Sequence, residues 1–267
     1  MERCILMGRY FMERRPIKRC LVKRRAIWQS FLSIVFPNLC LHCDLIVHSN
    51  RNGKNAVHLC QQCEFDLDRC VIPSCEQPGL TASGRTIWGT WYYRLNSPIR
   101  SLHRSLKFDG NLFTGSYIGS RLQFPEGLRK RICSDTVCIP VPSHRTKILE
   151  RGIQHTSVLA ESVAKHLSLR VASDVLRRPR LGKSQSDLNR EDRLSNLNNA
   201  FSVSTSTPAK HAILVDDVMT TGATLDAAAA TLESAGISVS LYTIAFRREA
   251  FPREACSSGT PIESPQH

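Results

Sequence analysis

The chain has 267 residues, 42% of them hydrophobic and 22% charged, with a formal net charge of +13. That balance fits an ordinary soluble globular chain and excludes fibrous, collagen-like and wholly disordered classes. No apolar run reaches the roughly 18–20 residues of a membrane-spanning helix.

Residues 1–36 come first, as a basic arm with a short amphipathic, helix-prone piece. Residues 1–30 hold nine Lys or Arg, from Arg3 to Arg25, against Glu2 and Glu13. Such an arm is either drawn to nucleic acid or an anionic surface, or is a solvated, poorly ordered extension. The apolar stretch from Ala26 to Phe36 is broken by Gln29, Ser30 and Ser33 and leads into Asn38-Leu39-Cys40 with no small-residue cleavage site. It therefore does not read as a secretory signal, and a cytoplasmic protein is expected.

Residues 37–80 are polar and rich in cysteine; six of the eleven cysteines fall between Cys40 and Cys75. Cys40-x-x-Cys43 and Cys60-x-x-Cys63 stand sixteen residues apart, the spacing of a four-thiolate zinc ribbon. In a reducing compartment such a cluster points to structural Zn²⁺, with unpaired thiols, disulfides and iron–sulfur as the competing readings. Cys70 and Cys75 have a different spacing, so a second complete site is not expected; His42, His48 and His58 read better as surface histidines.

From Gly84 the pattern is α/β. Residues 86–95 are aromatic and β-prone and predict a strand or hairpin. Ile99, Leu102 and Leu106 predict a helix over 97–107, and a second helix is expected over about 113–123. Val137 to Val141 reads as a buried parallel strand, and Leu159, Val163 and Leu167 predict a helix over 154–167. A strand over 171–176 precedes Arg177 to Asn199, which holds six Arg or Lys and four Asn and should be a mobile surface loop. Strand 212–216, a tight loop, helix 224–235 and strand 238–246 complete the alternation, which implies a parallel sheet. The tail, 249–267, is rich in Pro, Ser and Gly and reads as disordered.

The most informative string is Ala212 to Thr224, in which an apolar strand ends in Asp216-Asp217 and a Thr220-Thr221-Gly222 turn launches a helix. Ligands of open α/β sheets bind at the C-terminal ends of strands. Amides at a helix start favour a phosphate, Gly222 lets backbone approach it, and Thr220, Thr221 and Thr224 add hydroxyls. Asp216 and Asp217 would repel a phosphate, but suit ribose hydroxyls or a Mg²⁺ ion that those hydroxyls also ligate. Upstream, Arg145, Lys147 and Arg151 are the nearest basic groups by topology, and Gly152 lets the backbone bend around an anion. A phospho-acceptor receiver domain also has paired acids after a strand, but near its start, so that reading fails on position.

The string resembles the phosphoribosyl-diphosphate (PRPP) signature of type I phosphoribosyltransferases. From Leu39 to Phe246 the chain is similar to the ComF/GntX family in its Cys-x-x-Cys pairs, Leu106-Lys107-Phe108 with Asp109-Gly110, the Pro-Val-Pro run and Arg151-Gly152. Gln185, Leu188, Arg193, Asn196 and Ala200-Phe201 extend the likeness, and the Asp-Asp loop closes it. The resemblance implies a type I phosphoribosyltransferase fold over 84–248, a central parallel sheet flanked by helices, preceded by the zinc ribbon. It implies catalytic roles for Asp216, Asp217 and Arg151. PRPP contacts are implied for Asp216, Asp217, Val218, Met219, Thr220, Thr221, Gly222, Ala223, Thr224, Arg145, Arg151 and Gly152. Gln185, Arg193 and Asn196 would sit on a lid, Mg²⁺ would accompany PRPP, and the role would lie in competence and use of external DNA, with nucleic acid or uptake machinery as partners. The family's Arg-Gly-Phe-Asn-Gln is here Arg151-Gly152-Ile153-Gln154-His155. That departure keeps open a catalytically silent ribose-phosphate sensor or a DNA-handling module.

Overall fold

A computed structural model describes residues 37–47, 59–73, 78–143, 152, 154–178, 200–204 and 209–247. The basic arm, the lid and the tail expected from the sequence lie outside these residues, as do Cys75, His48 and His58.

The frame is a six-stranded sheet in the order β1-β2-β8-β7-β3-β4. Its members are β1 (Gly79–Leu80), β2 (Thr86–Tyr93), β3 (Thr136–Pro140), β4 (Arg170–Val171), β7 (His211–Met219) and β8 (Ser238–Arg247). Every pairing is parallel except β1 with β2. β5 (Leu176–Arg177) and β6 (Ser202–Val203) form a separate antiparallel pair at the two ends of the polar stretch. The helices are α1 (Gln61–Asp68), α2 (Pro98–Phe108), α3 (Leu112–Ser120), α4 (Glu126–Arg129), α5 (His155–Leu167) and α6 (Ala223–Ser234).

Apolar residues run continuously in β7 because both sheet faces are covered. Ile213 and Val215 pack with Ile99, Leu102 and Leu106 of α2, Ile118 of α3, and Leu159 and Val163 of α5. Ala212 and Leu214 pack on the other face with Leu225, Ala228 and Leu232 of α6. The Cys-rich segment joins the first of these cores through Cys40, Leu59, Cys63, Leu67 and Cys70. Tyr117 donates to Glu64 at 2.6 Å, Arg121 pairs with Glu64 and Asp68, and His42 Nδ1 lies 3.0 Å from Ser101 Oγ, so α1 and the first Cys-x-x-Cys turn are held against α2 and α3.

Two expectations change, and one pair of alternatives is decided. The strand predicted over 212–216 runs on to Met219, because β8 lies alongside it as far as Phe246 and supplies ladder partners. The strand predicted over 171–176 is two short strands, β4 and β5, separated by the turn at Ala172 to Val175. Of the strand or hairpin expected over 86–95, the strand forms, as β2, and its antiparallel partner is Gly79-Leu80, reached through residues 81–85.

At the start of β7, His211 is buried, with Thr136 Oγ1 3.0 Å from Nδ1 and Ser240 Oγ 2.9 Å from Nε2. Burial pushes its pKa below the ordinary 6.5, and the charge of Arg131 adds to the effect. As pH falls from 6.5 towards the lower native value, only the unfolded chain takes up the proton, so stability is lost on the acid side. Urea melts from pH 7.5 to 5 should show a steeper decline for the natural protein than for His211→Gln. Parallel curves would refute the assignment.

Candidate functional site

β3 stops at Pro140, opposite Val215, while β8 continues beside β7. Asp216 and Asp217 therefore stand beyond the end of one neighbour, at the C-terminal rim, where open sheets leave a crevice. The two acids differ. Asp216 is half-buried; its Oδ1 accepts the Asp217 N–H at 2.9 Å, and burial together with the Asp217 charge pushes its carboxyl up. Asp217 is only 8% exposed, and Oδ1 accepts the Val218 N–H at 2.6 Å. Its Oδ2 lies 2.8 Å from His103 Nε2, 2.8 Å from His155 Nε2 and 3.5 Å from Lys107 Nζ. Burial opposes its negative charge, but bonds from the two histidines outweigh that and hold the carboxyl well below the usual range.

His103 and Lys107 come from one flank of α2, and His155 opens α5. Neither His103 nor Lys107 is among the site residues the resemblance implies; Lys107 belongs to the Leu106-Lys107-Phe108 piece of the likeness, and His103 stands one turn before it beside the Ile99-Leu102-Leu106 stripe. His155 is the last of the three positions that depart from the family pattern.

The turn after β7 places Thr220 and Thr221 at the surface, Gly222 just before α6, and Ala223 and Thr224 half-exposed in its first turn. No side chain caps the helix at Gly222, and the Ala223 N–H reaches Thr221 Oγ1 only at 3.4 Å. First-turn amides are thus open to an anion. Val218 is half-buried and Met219 is buried in the second core. Gly222 has φ +82°, and a Cβ there would lie 2.7 Å from Thr81 Cβ. Thr81 belongs to a clasp that the sequence did not reveal. Asp226 accepts from Thr81 Oγ1 at 2.5 Å, Ser83 Oγ at 2.6 Å and Ser83 N at 3.1 Å, and Ala82 N donates to Thr221 O at 2.9 Å. Gly222→Ala combines a left-handed backbone with this overlap and should cost about 2–5 kcal/mol. Denaturant unfolding measures it, and a loss under 1 kcal/mol would contradict the geometry.

Gly152 is described, with φ +72° and no other described residue within 4 Å of where a Cβ would stand. Arg145, Lys147, Arg151 and Ile153, with Gln185, Arg193 and Asn196, lie outside the described residues.

About the cysteines, the four Sγ atoms of Cys40, Cys43, Cys60 and Cys63 lie within 4.8 Å of one another. Zinc–sulfur bonds of about 2.3 Å give a tetrahedral edge of about 3.8 Å, so the donor set fits a four-thiolate zinc site. Cys60 N donates to Cys40 Sγ at 3.3 Å. Burial opposes the Cys40 thiolate, but backbone N–H groups of Cys43, Cys60 and His42 outweigh it and bring the pKa to about 7. Cys70 is instead a buried core thiol whose pKa burial pushes up. Among the described residues, no helix is long and apolar enough to cross a membrane.

Residues 149–257 match the phosphoribosyl transferase domain model. Competence protein F of Haemophilus influenzae is 32% identical over 102 residues, which cover 37% of this chain and 44% of that protein. The DNA utilization protein YhgH of Escherichia coli O6:H1 is 31% identical over 133 residues, 48% of this chain and 58% of that one. The chain thus spans about half the length of the curated relatives it matches. An orotate phosphoribosyltransferase from Aeropyrum pernix aligns over 67% of this chain and 77% of its own at 17% identity, with a TM-score of 0.28. The parallel sheet and the domain match define a phosphoribosyltransferase-type protein. Its motifs and these relatives support membership of the ComF family.

Proposed function

We propose that the rim at the end of β7 binds PRPP and that the protein transfers its phosphoribosyl group to an acceptor with release of pyrophosphate. The observation that carries this reading is the junction of Asp216 with the uncapped start of α6 across the Thr220-Thr221-Gly222 turn. The amides and hydroxyls from Thr220 to Thr224 would hold the 5′-phosphate, and Asp216 would accept from a ribose hydroxyl. Arg145, Arg151 and Gly152 would face the pyrophosphate, and Gln185, Arg193 and Asn196 would exclude water from a lid. Transfer passes through an oxocarbenium-like ribose, so placed charges matter more than a nucleophile. Asp217 is already occupied by nitrogen donors, so Mg²⁺ is expected to arrive with the diphosphate, whose departing charge it would neutralise.

Cys40, Cys43, Cys60 and Cys63 would hold a structural Zn²⁺. The names of the relatives support a place in competence or DNA utilisation; the proposal sets the protein inside the cell, with the basic arm 1–36 and the ribbon as nucleic-acid contacts. The domain division proposed is 1–36, 37–80, 84–248 and 249–267.

Engagement of Asp217 by His103, His155 and Lys107 favours a second reading, a sensor that binds ribose phosphate without turnover. Pyrophosphate release from PRPP with Mg²⁺, compared with the Asp216→Asn/Asp217→Asn variant, decides between them. Release that the variant lacks supports transfer; calorimetric binding without release supports the sensor. No heat with any ribose 5-phosphate compound would end both. DNA binding that weakens steeply with salt and vanishes on deleting residues 1–36 would identify the arm as the contact.

A further inference from the structure

We propose that His103 Nε2, His155 Nε2 and Asp217 Oδ2 form a second metal centre, for a first-row divalent transition ion, separate from the four-thiolate cluster. The three ligand atoms lie within 4.8 Å of one another, and both nitrogens are 2.8 Å from the same oxygen. Metal–nitrogen and metal–oxygen bonds of about 2.0–2.2 Å make coordination edges of about 3.0–3.5 Å, so a small outward movement admits an ion.

Two of the ligands are oriented by hydrogen bonds, and His155 by burial alone, its Nδ1 without a partner among the described residues. Asp217 Oδ1 accepts the Val218 N–H, and Asp217 O accepts from Thr243 Oγ1 at 3.0 Å, which aims Oδ2 at the histidines. His103 is steadied by the Tyr93 hydroxyl, 3.4 Å from Nδ1, the kind of outer contact that fixes a ligating imidazole. His155 is held by burial at the first turn of α5, its side chain 5% exposed. Lys107 is the competing cation, but its ammonium makes the longest contact, 3.5 Å, and its side chain is 26% exposed.

Two imidazoles and one carboxylate suit Zn²⁺, Co²⁺, Fe²⁺ or Mn²⁺ better than Mg²⁺, which prefers an all-oxygen shell. Three protein ligands leave positions for water or for hydroxyl groups of a bound molecule. The centre stands whether or not the rim binds PRPP.

The test counts metal in the full-length chain, loaded with Co²⁺ as probe in place of zinc and dialysed. The natural protein should hold two ions, one with strong thiolate-to-cobalt absorption and one with only weak ligand-field bands. His103→Ala/His155→Ala should hold one, with the thiolate bands unchanged, which also reports that the fold persists. His155→Gln, a milder change, should weaken the second ion at least 10-fold. A natural protein that binds a single ion, lost in Cys43→Ser/Cys60→Ser, overturns the proposal, as does a double-histidine variant that keeps two. PRPP calorimetry with Mg²⁺ on the same protein tests the phosphoribosyl reading separately.

Discussion

Cys63→Ser should strip one metal equivalent, exhaustive chelation should strip every bound ion, and each should lower the melting temperature sharply. Structural zinc contributes about 10–16 kcal/mol in isolated peptides. Even about 4 kcal/mol of that would lower Tm by about 8–16 °C in a chain of this size. The effect should spread beyond the ribbon, because Cys40 (0% exposed), Cys63 (4%) and Leu67 (0%) share a core with Trp91, Ile99 and Leu102. Differential scanning fluorimetry with and without chelator, beside elemental analysis, gives the result. An unchanged Tm with full loss of metal would show that packing alone holds this segment.

Asp217→Asn and Asp216→Asn should separate stability from binding. Asp217 is the shared anion of two imidazoles and an ammonium in a nearly dry site. Removing one side of a buried charged cluster typically costs about 3–5 kcal/mol. Asp216 is the opposite case: burial and the neighbouring charge already disfavour its ionised form, and an Asn oxygen can still accept the Asp217 N–H. Asp216→Asn should therefore melt within about 1 kcal/mol of the natural protein, since it removes a charge without orphaning a donor. On the PRPP reading it should weaken PRPP about 10–100-fold, the worth of one hydrogen bond to a charged acceptor, about 1.5–3 kcal/mol. Urea melts and calorimetry on the two single variants give four numbers. If Asp216→Asn destabilises more than Asp217→Asn, the division of labour drawn here is wrong.

By itself the sequence determined the elements and their order. α2, α3, α5, α6 and β8 fall within a few residues of their predicted bounds, because helix spacing such as Ile99-Leu102-Leu106 and an apolar run such as Ile213-Leu214-Val215 are local signals. The same holds for the Asp216–Thr224 string, whose strand, turn and helix are contiguous in the chain. The length of β7 was not local; it follows from a partner strand twenty-odd residues later in the chain that keeps supplying hydrogen bonds up to Phe246. Nor were the surroundings of the acids. His103 and Asp217 are 114 residues apart, His155 and Asp217 are 62, and Thr81 and Asp226 are 145. A histidine on a helix flank carries no mark of what faces it; the crossing of α2 and α5 over the end of β7 supplies that. Tertiary structure therefore decided which acid is clamped and which is left half-open, because burial and hydrogen bonding act on side chains that only the folded chain brings within 3 Å.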